Sequence, residues 1–140
     1  MTRTEIETKA FEYFDSGFCC AESILKAVME AHADTLPADL PKAATGFIGG
    51  IGVSMQETCG ALTGGIVALG YLMGRTDPSS SAEEIKETAQ VFRERFLQEF
   101  SATNCGKLLE LLGEQEDDYK CKKMTARAAG ILSELLEERK

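Results

Sequence analysis

The sequence lacks an excess of basic residues, an apolar amino-terminal leader and any apolar run long enough to cross a membrane. Its 15 Lys and Arg residues are outnumbered by 23 Asp and Glu residues, giving a formal net charge of −8. A surface that binds phosphate groups needs the opposite balance, so we expect neither nucleic acid nor an anionic membrane as a partner. The first 14 residues are polar where a secretory signal is apolar, which predicts a cytoplasmic protein.

The most apolar stretch is residues 59–73, CGALTGGIVALGYLM, which is shorter than the roughly 20 residues of a membrane-spanning helix. Charged residues also stand near both of its ends. We therefore predict a buried core helix and no membrane insertion. Small residues recur four positions apart at Gly60, Gly64 and Ala68, a face that permits close helix packing and is compatible with a homodimer.

No segment alternates apolar and polar residues as a strand would, and no repeat or low-complexity linker divides the chain. The sequence predicts one domain over residues 1–140, an all-α, compact bundle of five or six unequal helices. Ser81 and Glu84 are predicted to form a capping box at the start of the helix that ends near residue 100. The predicted helices cover residues 5–14, 20–32, 59–73 and 105–112, with a turn or two at 42–48. A further helix is predicted from the Ser81 cap to about residue 100, and a final one from a cap at Asp117 or Asp118 to residue 138.

Five cysteines, odd in number and widely spaced, occur in a chain large enough to fold without disulfides. This favours redox or metal chemistry over a structural disulfide framework. Four of them, Cys20, Cys59, Cys105 and Cys121, fall near predicted helix starts, and Cys59 and Cys105 are predicted first helical residues. Free amides and the helix dipole favour thiolate there, so we expect lowered pKa values. The alternative is that these cysteines are apolar core filler, which four separate helix starts disfavour.

Three other features carry weaker predictions. The glycine-rich segment 46–52, GFIGGIG, matches no phosphate-binding motif and is interpreted as a hinge or close-packing loop. His32 is the only histidine, and at a predicted helix carboxyl terminus we expect it to be a protonated cap. Lys120, Lys122 and Lys123 flank Cys121 and are expected to form a solvated face.

The string from Cys59 to Gly64, CGALTG, has one cysteine well before it and two after. It resembles the family of redox-active proteins named for a C, GCAxxG, C, C pattern, and the resemblance covers nearly the whole chain. It implies that Cys20, Cys59, Cys105 and Cys121 are the family's four cysteines, with Gly60 and Gly64 as its motif glycines and candidate cofactor contacts. The chain departs from the pattern in reading Cys-Gly-Ala for Gly-Cys-Ala. A second departure is Cys19, which stands where many relatives carry Asn.

Two redox hypotheses remain open for this cysteine set. In the first, all four thiolates hold a metal cluster, with [2Fe–2S] as the leading candidate, and the protein carries electrons. Helical domains resembling this one in some multihaem cytochromes are thought to carry an iron centre. In the second, the chain is a thiol–disulfide oxidoreductase acting on a redox partner protein or a small thiol. Cys59 would then be the attacking thiol and Cys20 or Cys105 its resolving partner.

Two further hypotheses rank below these. Structural zinc commonly uses ligands paired as C-x2-C, and the chain has no such pair. A redox-sensing interaction module is the non-catalytic alternative. The resemblance suggests a membrane transporter as its partner, because members of the family are often encoded near transporter genes.

Overall fold

The computed structural model describes all 140 residues, and its regular structure is entirely α-helical. The all-α prediction is confirmed, but there are seven helices where five or six were predicted. The four-residue α3 accounts for the excess, because the turn predicted near residue 42 closes into a short helix after Pro41. The helices are α1 (Arg3–Asp15), α2 (Cys20–His32), α3 (Lys42–Thr45), α4 (Gly60–Met73), α5 (Glu83–Phe100), α6 (Cys105–Leu112) and α7 (Tyr119–Glu138).

Helix α2 is central and packs against α1, α4 and α7, while α5 closes the bundle against α4 and α7. The apolar residues of these helices form one continuous core. Its largest fully buried apolar side chains are Phe92, Phe96, Ile6, Ile24, Leu25, Leu69, Leu132 and Val28. Burial of this set supplies most of the driving force for folding, because stabilisation grows with the apolar area removed from water.

The small-residue face of α4 is used within the chain. A Cβ atom added at Gly64 would lie 2.3 Å from the carbonyl oxygen of Ala21 on α2. One added at Gly65 would lie 2.6 Å from the ring of Phe92 on α5. The glycines therefore allow α4 to sit in close contact with both neighbours, and the homodimer inferred from this face stays a prediction. None of the helices combines the length and apolar character needed to cross a bilayer.

The start of α5 differs from its prediction. The helix begins at Glu83, with Ala82 as its N-cap, and no capping box forms. The Ser81 hydroxyl instead accepts a hydrogen bond of 3.1 Å from the Glu83 backbone N–H. Ser81 therefore lies one residue before the N-cap position. Its side chain accepts a hydrogen bond within a local turn instead.

Candidate cysteine redox centre

The amino-terminal ends of four helices bring four cysteines to one cavity. Cys20 is the first residue of α2 and Cys105 the first of α6, while Cys121 is the third residue of α7. Cys59 is the N-cap of α4 and not its first helical residue; its φ of −54° and ψ of 135° are not helical, and it follows the isolated bridge between Thr58 and Asn104. All four line a cavity of about 140 Å³, so residues far apart in sequence meet at one place.

Apolar side chains form most of the remaining cavity wall. Asp118 and Thr125 are its only polar members outside the cysteines. An apolar wall excludes water, and electrostatic interactions inside it are stronger than in bulk solvent. The other lining residues are Phe14, Val53, Met55, Gly60, Leu108, Leu109 and Met124.

Backbone hydrogen bonds fix Cys59 and Cys105 relative to each other. The Cys59 N–H donates to the Thr103 carbonyl at 2.7 Å, and the Cys105 N–H donates to the Glu57 carbonyl at 2.8 Å. The side-chain amide of Asn104 strengthens this connection with two hydrogen bonds. Its Nδ2 donates to the Gln56 carbonyl at 2.7 Å, and its Oδ1 caps α6 by accepting from an amide at 3.0 Å. Hydrogen bonds of the chain itself therefore join the starts of α4 and α6.

Two glycines permit the close approach of neighbouring elements to the cysteines. A Cβ atom added at Gly60 would lie 2.4 Å from Cys20 Sγ, and one added at Gly50 would lie 2.6 Å from Cys105 Cβ. The close-packing interpretation of the glycine-rich segment therefore holds at Gly50. Gly60 belongs to the cavity wall, whereas Gly64 packs on α2 outside the lining. Their roles as cofactor contacts stay predictions.

The loop between α3 and α4 is strained where it covers the cavity. Five consecutive residues, 49–53, have positive φ, and Met55 follows with φ of 61°. Ile51 and Val53 are β-branched, and such residues rarely adopt this conformation. Hydrogen bonds that close back across the loop hold it, including Met55 N–H to the Gly49 carbonyl at 2.9 Å. Strain of this kind concentrates at functional sites.

Burial raises the pKa of every cysteine in the centre. The pKa of Cys59 rises to about 12, first because the site is desolvated and then because of the neighbouring Cys20. The pKa values of Cys20, Cys105 and Cys121 also rise, with burial as the largest cause. The prediction of lowered pKa values is therefore wrong. Helix starts favour thiolate, but desolvation in an apolar cavity outweighs them.

Amide groups lower the pKa of three of the four thiols. The backbone amides of Gly49 and Ala21 act on Cys20, and that of Ala61 acts on Cys59, lowering the pKa of each against the larger effect of burial. The side-chain amide of Gln115 donates to Cys121 Sγ at 3.2 Å. Donors of this kind stabilise sulfur that carries negative charge.

The donor groups do not fit a single metal ion. No three His, Cys, Asp or Glu side chains lie close enough together to hold one, so the arrangement does not match tetrahedral zinc. A [2Fe–2S] cluster is different, because each of its irons takes two cysteines. The four cysteines that line one cavity supply the number of thiolate ligands that a two-iron cluster requires.

Cys19 stands outside the cavity wall. It is the N-cap of α2, and its N–H donates to Glu22 Oε1 at 3.2 Å. Its side chain is half-buried, and the pKa of its thiol is raised by burial, then by Glu22 and Asp118. Of the two adjacent cysteines, Cys20 is thus the one that faces the centre, and Cys19 offers a matched control for it.

Lys122 does not belong to a solvated face, whereas Lys120 and Lys123 are exposed as expected. Only 5% of Lys122 is exposed, and its Nζ lies 3.0 Å from both Asp15 Oδ1 and Asp117 Oδ2. These two carboxylates raise the pKa of its ammonium. Lys122 therefore connects the end of α1 to the turn before α7, directly beside Cys121. Because Asp15 lies 107 residues from Lys122 in the sequence, the residues around Lys122 do not indicate this contact.

His32 is not the exposed, protonated cap that its position suggests. Its ring is buried against α7, with Nε2 2.7 Å from Ser133 Oγ and no hydrogen bond to Nδ1. Burial, followed by the nearby Lys140, lowers the pKa of the imidazole. His32 lies outside the cysteine cavity.

A family model described as "Putative redox-active protein (C_GCAxxG_C_C)" matches residues 18–135 of the chain. The match includes all five cysteines and every residue of the cavity wall except Phe14. No curated protein and no solved structure matches the chain significantly.

Proposed function

The chain belongs to this family of redox-active cysteine proteins, and we propose that its four-cysteine cavity holds a [2Fe–2S] cluster for one-electron transfer. The observation that carries the proposal is the meeting of four thiols, from four helix starts, at one apolar cavity of about 140 Å³. The Gln115 amide donor to Cys121, and the backbone amides that lower the pKa values of Cys20 and Cys59, support it, because such donors are a protein's means of tuning cluster potential.

The residues of the chain have distinct parts in this function. Cys20, Cys59, Cys105 and Cys121 supply the thiolate ligands, and the bound cluster supplies the one-electron couple. Burial keeps the thiols protonated in the unloaded chain, so loading must release their protons. The amides of Gly49, Ala61 and Gln115 then compensate negative charge on sulfur, and the apolar wall keeps water from the centre.

The direct test is anaerobic reconstitution with ferrous iron and sulfide. We expect about two iron and two sulfide ions per chain, with charge-transfer absorption in the visible region. Cys59→Ser should lose this absorption while keeping its far-ultraviolet helical signal. Cys19→Ser is the matched control and should load like the wild type. A wild-type chain that stays colourless and iron-free after reconstitution would contradict the proposal.

Thiol–disulfide exchange is the second candidate, and the presence of four free thiols at one cavity favours it. Cys20 raises the pKa of Cys59, and Cys121 raises that of Cys105, so we take these two combinations as the candidate pairs. Each pair would form one S–S bond and release two protons, while its two electrons cleave the S–S bond of a disulfide partner to two thiols.

A thiol count separates the two candidates. The exchange reaction predicts a metal-free protein that loses about two free thiols per disulfide formed on mild oxidation and regains them with a dithiol reductant. A cluster protein keeps iron and colour through the same treatment under anaerobic conditions. Iron uptake without any reversible loss of thiols would exclude exchange as the main activity.

A further inference from the structure

Thr125 is the only hydroxyl-bearing residue in the wall of the cysteine cavity. It lies on α7 one turn after Cys121, is fully buried, and its Oγ1 has no hydrogen-bond partner. A buried hydroxyl without a partner is unfavourable, because it has lost its hydrogen bonds to water and gained none. A group held in the cavity would be the missing partner.

Thr88 shows that the missing bond is not a general consequence of burying threonine in a helix. It is also fully buried on a long helix, and its hydroxyl donates to the carbonyl of Glu84 one turn earlier, at 2.8 Å. Threonine commonly forms this bond. Thr125 has the same option toward the carbonyl of Cys121 and does not use it. Its hydroxyl is thus free to act as a donor.

Ser23 is the only other buried hydroxyl without a partner, and it lies outside the cavity wall. Thr125 therefore combines two properties that no other residue shares. One is an unpaired donor, and the other is a place beside the four sulfurs. Asp118, the remaining polar residue of the wall, is exposed and its carboxylate only accepts hydrogen bonds when ionised.

We propose that the Thr125 hydroxyl donates a hydrogen bond to the negatively charged, sulfur-containing group held between the four cysteines. The inference rests on the proposed function, since it assigns a further binding residue to the same centre. Reduction adds an electron to that group, and a donor stabilises the more negative state more strongly. Thr125 thereby raises the reduction potential of the centre.

The test uses the isosteric Thr125→Val, which removes only the hydroxyl, Thr125→Ser, which keeps it, and Ser23→Ala as the control for an unpaired hydroxyl elsewhere. Each variant is reconstituted anaerobically with ferrous iron and sulfide, and its midpoint potential is measured by spectroscopic redox titration. At a fixed potential, the ratio of reduced to oxidised centre in Thr125→Val should be about tenfold lower than in the wild type, which corresponds to a fall in midpoint potential of about 59 mV for one electron. Thr125→Ser and Ser23→Ala should stay near the wild-type potential.

A second measurement uses the unloaded chains. In urea, unloaded Thr125→Val should be at least as stable as the wild type, because the substitution removes an unpaired buried hydroxyl. A wild type that takes up no iron and sulfide overturns both the proposed function and the role of Thr125. A wild type that loads normally, with Thr125→Val at an unchanged potential, overturns the role of Thr125 alone.

Discussion

The two ends of the helical bundle differ in how far they follow the preferences of the backbone. The core end is defined as the packing of regular helices around Phe92 and Phe96, whose large apolar residues are fully buried and which is continuous with the wall of the cysteine cavity. The cysteine end contains every non-glycine residue with positive φ. These six residues lie in the three segments that lead into Cys59, Cys105 and Cys121, and they are Ile51, Val53, Met55, Ser101, Asp117 and Asp118.

This contrast indicates that stability and function are separated within one small domain. The core end stabilises the fold, and part of that stability compensates for strain and buried thiols at the cysteine end. Residues held in a sparsely populated conformation cost about 1–3 kcal/mol each, so the surrounding structure must determine them. The comparison makes predictions that differ in sign and size for the two ends.

The largest expected effect is at the core end. Phe92→Ala removes a fully buried ring at the contact of α4 and α5 and should lower the free energy of unfolding by about 3–5 kcal/mol. Urea denaturation followed by circular dichroism measures it. Tyr71→Ala, at a side chain that is 48% exposed, is the control and should change stability by under about 1 kcal/mol. Similar losses in both variants would contradict the assignment of the core.

Substitutions at the two motif glycines, Gly64 and Gly60, distinguish the core end from the cysteine end more sharply. Gly64→Ala forces a Cβ atom against the backbone of Ala21, which cannot move cheaply, and should cost about 1–3 kcal/mol of unfolding free energy. Gly60→Ala places its Cβ closest to Cys20 Sγ, a side-chain atom, and the nearest backbone atom it meets is the Phe47 carbonyl oxygen, 3.0 Å away. It should cost less stability and displace a ligand.

Measuring urea stability and iron content after reconstitution on both glycine variants tests this pair. Folded Gly64→Ala should bind as much iron per chain as the wild type. Gly60→Ala should fold but bind less iron per chain. If Gly60→Ala destabilises the chain more than Gly64→Ala and still binds iron normally, the division between packing glycine and site glycine is wrong.

Relief of strain should have a smaller effect, of opposite sign. Ile51 has φ of 70°, is 49% exposed and does not line the cavity. Glycine adopts this conformation without the penalty that a side chain brings, so Ile51→Gly should raise the free energy of unfolding by about 1 kcal/mol. Leu36→Gly is the control, at an equally exposed residue without positive φ, and should give no gain. A loss of stability in Ile51→Gly would show that the loop is not strained at this residue.

The same contrast decides what could be predicted from the sequence. The bounds of α2 and α6 agree with their predictions at both ends. Their signals are local, as when Asn104 caps α6 and Gly113 follows its last residue. The placement of four cysteines near helix starts was also predicted from local signals, whereas their meeting at one cavity depends on how the helices pack. The helix count was too low because the four-residue α3 was predicted as a turn. The start of α5 at Glu83 lies two residues after the predicted cap at Ser81.

The errors concern properties that depend on three-dimensional surroundings. Helix position alone predicted lowered cysteine pKa values, whereas the cavity wall that reverses their sign comes from residues far away in sequence. Lys122 was assigned to solvent because its partner Asp15 lies at the end of another helix. Gly50 and Thr125 carried no motif at all. Their roles follow from what a Cβ or a hydroxyl would meet in the folded chain.

The smallest expected effect is a pH dependence at His32, which lies outside the cysteine cavity. His32 is buried against Ser133 on α7, and the charged groups that influence its imidazole are Lys140, Glu137 and the amino terminus. Its pKa in the folded chain is lowered from 6.5, so below this pH the unfolded chain binds more protons than the folded one. The stability contributed by neutral His32 should be present above pH 6.5 and decline as the pH falls toward the folded pKa.

Urea denaturation between about pH 7.5 and 5, compared with His32→Gln, isolates this contribution, because His32 is the only histidine. The wild type should lose stability relative to the variant as the pH falls, while reconstituted samples of both keep the same visible spectrum. An equal slope in the two proteins would show that the imidazole keeps its ordinary pKa. A spectrum that changes with His32 would instead show that His32 and the cysteine cavity are coupled, which the position of His32 outside the cavity wall argues against.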